Sequence, residues 1–430
     1  MLKDFQNLAV TTDSPEAIVA INHFIDQALF YGKNARAAIL QAIAADPTCA
    51  IAHAYAASHF LSQEHSNAWK QAVPHLIAIR QFISKATLRE QGYAEGILAW
   101  AQGDIDRAIA CHERLAEEYP EDLISVQQAQ YHYFYQGEAK QLLNVAVKVL
   151  PSHASNHYLY GMVAFGLEQC GDLVGAEVLG RWAVSLNRND PWAQHAIAHV
   201  LESQGRFVEG IEWMEQHSDT WEQCNTMLYT HNWWHLALYY LSLGDTQTVL
   251  NLYDHRVWGR ADKRSPKDQV GAIATLLRLE LRGVDVGDRW QSLVPYLESR
   301  LHEHALAFQD LHYLYALARA DRWNWVSEML QSWQTHLTVL KPSLRKIWTE
   351  ITFPTARGLI AHAQGNWSAA VSLLKPVLPQ LHQVGGSITQ RKLFGQVYEQ
   401  ARQQSELLTR SSQFRISQPY KRYPEFKTAS

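Results

Sequence analysis

Residues 166–177 read GLEQCGDLVGAE and residues 200–211 read VLESQGRFVEGI. Each stretch ends one helical run at a glycine, adds a polar residue, and starts a second helical run. The same pattern stands at 99–110 (AWAQGDIDRAIA), 240–250 (YLSLGDTQTVL) and 361–371 (AHAQGNWSAAV). Gly103, Gly137, Gly171 and Gly205 are spaced 34 residues apart, Gly244 follows after 39, and Gly32 and Gly365 sit in similar contexts. A small residue stands five positions after most of these glycines, at Ala37, Ala108, Ala176, Gly210 and Ala370. Glycine supplies the helix-ending turn conformation, and the small residue lets paired helices approach. Helix starts agree with this reading. Asp190-Pro191 sets a capping carboxylate before a first-turn proline, and Ser387 with Gln390 forms a capping box after Gly385-Gly386.

A 34-residue helix–turn–helix period is the tetratricopeptide signature. No bounded run alternates apolar and polar residues as a strand would. The expected fold is therefore all-α: an α-solenoid, or superhelix, of tetratricopeptide-like helix pairs over residues 1–410, irregular around 254–340. The stretch HRVWGRADKRSPKDQ (255–269) reads as a polar loop, and 411–430 as a non-repetitive tail too rich in proline and polar residues for a helix. Hydrophobic residues make up 47% of the 430 and the formal charge is −4. That composition fills a large core, and no basic run is dense enough to track a phosphate backbone, so nucleic acid is not expected as a partner. Neither a secretory leader nor a membrane span is legible, and Cys49, Cys111, Cys170 and Cys224 stand far apart, which fits a reduced cytoplasmic setting.

The chain carries 21 histidines and 15 tryptophans, more than a plain scaffold needs. In tetratricopeptide proteins the first helix of each pair lines the concave surface. Carried over by resemblance, positions 13, 10, 6 and 3 before each turn glycine give the inward face. That face holds Glu90, Tyr93, Ile97 and Trp100, then Ile124, Gln127, Tyr131 and Phe134, then Tyr158, Gly161, Phe165 and Glu168. Next come Trp192, His195, His199 and Glu202, then His231 and Trp234 with His235 one step around. Asp310 and His312 on a later helix are further candidates.

The blocks DPWAQHAIAHVLESQGRFVEGIEWM (190–214), HNWWHLALYYLSLGD (231–245) and LRLELRGVDVGDRW (277–290) resemble the tetratricopeptide repeat protein 38 family. FQDLHYLYALA (308–318) and GGSITQRKLF (385–394) continue the resemblance, which runs from about Asp46 to about Ala401. It implies a helical-repeat fold and no defined reaction. The family usually has a histidine and an aspartate in the Gly-Gly-Ser block, where this chain has Ile388 and Lys392.

Three readings of the histidines compete. They are a hydrogen-bonded network holding the superhelix; a small-molecule pocket, plausibly catalytic, with His195, His199, His231 and His235 as acids or bases and Glu202 or Asp310 orienting them; or a Zn, Fe or Mn site drawn from His199, His231 and His235. Trp192, Trp234, Tyr158, Phe165, Tyr131, Asp310 and His312 are the expected ligand-binding residues. The wall shows almost no Lys or Arg, which tilts the expectation toward a small ligand and away from an extended peptide. The alternative is a scaffold that grips a peptide or protein partner in its groove; a homodimer is left open.

Overall fold

The computed structural model describes residues 1–416, with side chains described through residue 409. The fold is an α-solenoid. Its helix pairs are α1 (Pro15–Phe30) with α2 (Ala35–Ala45), α3 (Ala50–Leu61) with α4 (Ser66–Phe82), α5 (Leu88–Ala101) with α6 (Ile105–Glu118), and α7 (Leu123–Gln136) with α8 (Ala139–Val149). They continue with α9 (His157–Gln169) and α10 (Leu173–Leu186), α11 (Pro191–Ser203) and α12 (Phe207–His217), and α13 (Thr226–Ser242) and α14 (Thr246–Leu252). The less regular second half holds α15 (Pro266–Glu280), α16 (Arg289–Leu293), α17 (Ala307–Arg319), α18 (Trp323–Val339) and α19 (Pro342–Ile347). It ends with α20 (Phe353–Ala363), α21 (Trp367–Leu374) and α22 (Ile388–Ile416). A two-residue antiparallel ribbon, Leu2–Lys3 against Ala9–Val10, precedes α1. No described helix is long and apolar enough to cross a membrane.

The repeat rests on the turn glycines. Gly103, Gly137, Gly171, Gly205, Gly244 and Gly365 all have φ between +71° and +87°, the left-handed region that costs a Cβ-bearing residue about 1 kcal/mol or more. At Gly205, the Gly205 N–H donates to the Glu202 carbonyl and the Arg206 N–H to the Leu201 carbonyl, which closes the end of α11. The polar residue after the glycine then caps the second helix: Asp104, Asp172, Asp245 and Asn366 each accept from the N–H three residues on. Gly32 departs from the pattern. There Tyr31 takes the left-handed conformation, with φ 58°.

Two boundaries differ from the sequence reading. Ser265 and Pro266 are the cap and first residue of α15, and Tyr253–Val257 winds on from α14 as a π-turn. The polar loop is thus shorter than residues 255–269. The helix α22 runs to Ile416, because the first six residues of the expected tail hold no proline. Residues 417–430 of that tail lie outside the described residues.

The superhelix closes on itself. Gly32 pairs with Cys224 as an isolated bridge, and the Asn225 N–H donates to the Tyr31 carbonyl at 2.7 Å. Gln127 on α7 donates to the Ala28 carbonyl of α1. The tightest link is Glu64, in the turn between α3 and α4. Its buried carboxylate accepts from the Tyr131 hydroxyl (2.7 Å), from Gln309 (2.5 Å) and from the Lys267 ammonium (3.1 Å). One side chain therefore joins α7, α15 and α17 to the N-terminal repeats. Glu64 itself sits at φ 60°, a strained conformation for a non-glycine residue that its three partners hold in place.

Glu64→Ala leaves Lys267, Tyr131 and Gln309 without their acceptor and is expected to lower unfolding free energy by about 3 kcal/mol in urea titrations. Glu64→Gln should lose less. At Gly210 a Cβ would come within 2.5 Å of the Tyr239 ring, whereas at Gly103 it would meet nothing within 4 Å. Gly210→Ala is therefore expected to cost about 2 kcal/mol by overpacking, against about 1 kcal/mol for the purely conformational change Gly103→Ala.

Candidate functional site

Closure leaves an interior cavity of about 150 Å³. Aromatic rings form most of its wall: Tyr31, Tyr131, Phe134, Phe165, Trp192 and Phe308. Gln127, Gln130 and Gln309 add amides, and His195, His199 and His231 form one side. Tyr31 stacks on Trp192 with centroids 4.9 Å apart, so the end of α1 covers the start of α11.

The histidines arrive in two pairs. Asp190 caps α11 through the Ala193 N–H, which sets the phase that brings His195 and His199 onto one face at i and i+4. His231 and His235 do the same on α13. The four rings interlock. Centroid separations are 4.5 Å for His195–His199, 4.9 Å for His195–His231, 5.0 Å for His195–His235 and 4.5 Å for His199–His235. His195 Nε2 lies 3.0 Å from both His199 Nε2 and His231 Nε2. Carboxylates stand behind the rings: Glu168 Oε2 is 3.8 Å from His199 Nδ1, and Glu202 Oε2 is 3.6 Å from His235 Nδ1.

Burial decides the charge states. It pushes His195, His199 and His231 well below the ordinary imidazole range and His235 down to about 3; charge on neighbouring rings or on Arg278 adds to the effect. The imidazoles are therefore neutral at pH 7. Glu168 is pushed up to about 7, first by burial and then by the Glu202 charge, with the Gln169 amide pulling the other way.

Several sequence-derived assignments need correction. Trp234 does not line the cavity. It is buried behind His231, ring on ring at 5.1 Å and 14°, with the Arg278 guanidinium 5.2 Å from its centroid. Three residues on from His231, it is turned about 60° to the side away from His235. His235 and Glu202 also lie behind the wall, in the second layer. Tyr158, in the first turn of α9, donates its hydroxyl to Asp26 and lies outside the cavity. On α17 the cavity takes Phe308 and Gln309. Asp310, about 100° further round, binds His304 at 2.7 Å, and the other nitrogen of His304 meets Ser332 at 2.8 Å. His312 bonds back to the Phe308 carbonyl and packs against Phe394.

One cation stands in the wall. Lys267, from the stretch read as a loop, lines the cavity. Arg278 lies beside His235, and the Lys392 charge acts on both Glu168 and His199. Gly386, Ser387 and Gln390 complete the wall, with the Ser387–Gln390 capping box formed as expected and the Ile388 N–H donating to Gln169. The Gly-Gly-Ser block thus sits against the end of α9 and brings Lys392 to the Glu168 carboxylate. Tyr31 carries no signal in the sequence, since only closure of the superhelix places it here.

No protein-family model matches the chain. Similar solved structures include a Rap protein complexed with competence and sporulation factor, at 15% identity over 74% of this chain and 96% of that one, with a TM-score of 0.45. They also include a human IFIT1 dimer with PPP-AAAA, at 13% identity over 96% of this chain and 90% of that one, with a TM-score of 0.45. The P58(IPK) TPR domain is 13% identical over 92% of this chain and 99% of that one, with a TM-score of 0.22.

Beside the cavity, Asp268 accepts from the Thr230 hydroxyl and the Asp262 N–H. Burial nevertheless pushes it up to about 6. A raised carboxyl favours the folded state most below the unfolded value near 3.8, and that contribution is lost as pH rises through 6. Asp268→Asn should therefore gain on wild type by about 2 kcal/mol between pH 4 and pH 7, measured by denaturation at each pH.

Proposed function

We propose that this chain is a helical-repeat protein, of the type its blocks resemble in the tetratricopeptide repeat protein 38 family, that binds a small, flat molecule inside its closed superhelix. The observation that carries the reading is the cavity itself. Its volume, about 150 Å³, is that of a site holding a benzene-sized guest. Trp192, Phe165 and Tyr131 offer ring faces, while Gln127, Gln130 and Gln309 supply the few polar contacts that orient a ligand. His199 and His195 stand on the same wall as neutral hydrogen-bonding rings.

A second reading rests on a different space. A cavity of about 570 Å³ lies beyond Tyr131 and Tyr135, lined by Trp69, Trp100, Leu306, Leu344 and Trp348. Trp69 on α4 is 43% exposed, and Ile77 on the same helix 62%. That larger, apolar space suits a peptide or protein partner.

Gly271 separates the two readings. It lines the smaller cavity from inside α15, and an added Cβ would meet nothing within 4 Å. Gly271→Leu fills the space and, by helix propensity, should not lower stability. Saturation-transfer NMR with benzoate and indole is expected to show binding to wild type and none to Gly271→Leu, with Trp192→Ala also losing it. Equal binding to Gly271→Leu, or no binding to wild type, would sink the small-molecule reading.

A further inference from the structure

Several other histidines in this chain bond to carbonyl oxygens. His53 Nε2 meets the Pro47 carbonyl at 3.0 Å, His153 Nε2 the Pro120 carbonyl at 2.8 Å, and His217 Nδ1 the Trp213 carbonyl at 2.7 Å. These rings act as structural hydrogen-bonding groups. The cluster on α11 and α13 is built differently. A ring nitrogen carries one proton or one lone pair. The two 3.0 Å contacts at His195 Nε2, to His199 Nε2 and His231 Nε2, therefore cannot both be ordinary hydrogen bonds. Moreover, His195 Nδ1, His199 Nδ1 and both nitrogens of His235 have no hydrogen-bond partner among the described residues. Buried polar atoms left this way are costly and call for an explanation.

We propose that His195, His199, His231 and His235 form a binding site for a divalent transition-metal ion of the zinc class. One nitrogen from each ring lies within 4.8 Å of all the others. Four nitrogens held about 2.0 Å from one ion in a tetrahedron are about 3.3 Å apart. Two of the contacts, at 3.0 Å, are close to that spacing, and the ion would draw in the remaining nitrogens, which lie within 4.8 Å of one another. An ion at the centre meets all four lone pairs at once, which no arrangement of protons does.

The surroundings fit the same ion. Glu202 and Glu168 stand behind the Nδ1 atoms of His235 and His199, where a carboxylate fixes the tautomer that leaves Nε2 free to ligate and balances the ion's charge. The ligand set is all nitrogen, which selects a borderline ion such as Zn²⁺ over Mg²⁺ or Ca²⁺, both of which demand oxygen. Three of the four rings also face the cavity. The site stands on the ring geometry alone.

The test uses the full, untagged chain, stripped with a chelator and titrated with Co²⁺ alone. One equivalent should bind, giving the intense visible bands of cobalt in a tetrahedral nitrogen site, and Zn²⁺ should displace it. His235→Ala, whose ring does not touch the cavity, should weaken binding at least about 100-fold, and Glu202→Gln about 10-fold to 100-fold. His304→Gln, outside the cluster, should change nothing. No uptake by wild type, or undiminished uptake by His195→Ala/His231→Ala, would overturn the metal site. The wild-type titration needs no variant to fold. Gly271→Leu should keep its cobalt while excluding benzoate. Cobalt uptake by a wild type that ignores benzoate would therefore remove the cavity reading and leave the metal site standing.

Discussion

The buried Glu64 carboxylate is the point at which a row of helix pairs becomes a closed body. Stacked repeats contact their sequence neighbours and can stay open as a groove. Here a residue from the second pair accepts hydrogen bonds from α7 and α17 and an ion pair from α15. Those helices lie 67, 245 and 203 residues away in sequence, the distances from Glu64 to Tyr131, Gln309 and Lys267. Without that convergence the aromatic wall would be an exposed strip along α7, α9 and α11. With it, Tyr31 folds over Trp192 and the C-terminal Gly-Gly-Ser block closes the other side. The cavity is thus a product of closure rather than of any one repeat, and its small volume follows from how tightly the ends are drawn in.

This explains what was legible in the sequence and what was not. The 34-residue period, the left-handed glycines and the capping residues are local, because each turn is made by residues within six positions of one another. They read directly from the chain. The pairing of His195 and His199 with His231 and His235 was legible as well, because it needs only two helices one repeat apart. Trp234 was misplaced for a definable reason. The inward face was counted back from Gly244 at fixed offsets, but on α13 it is His231 and His235, four residues apart, that face α11, while Trp234 lies beside Arg278. Asp310 and His312 failed for the same kind of reason: α17 enters the cavity through Phe308 and Gln309, and one step along a helix is a quarter turn. Tyr31 and Lys267 had no sequence signal for the cavity, and Ser387 was legible only as a helix cap, because their places in the wall depend on contacts between distant repeats.

The neutral rings contribute no charge of their own. Glu168 and Glu202 stand beside them, and the Lys392 charge acts on Glu168 while Arg278 acts on His235 and interacts with Glu202. Lys392 lowers the carboxyl of Glu168 toward ionisation, working against burial and the Glu202 charge that raise it. Since an ionised carboxylate behind His199 orients that ring and offsets positive charge in front of it, the lysine and the cluster form one electrostatic unit. Its members come from α9, α11, α13, α15 and α22, and closure of the superhelix is what assembles them.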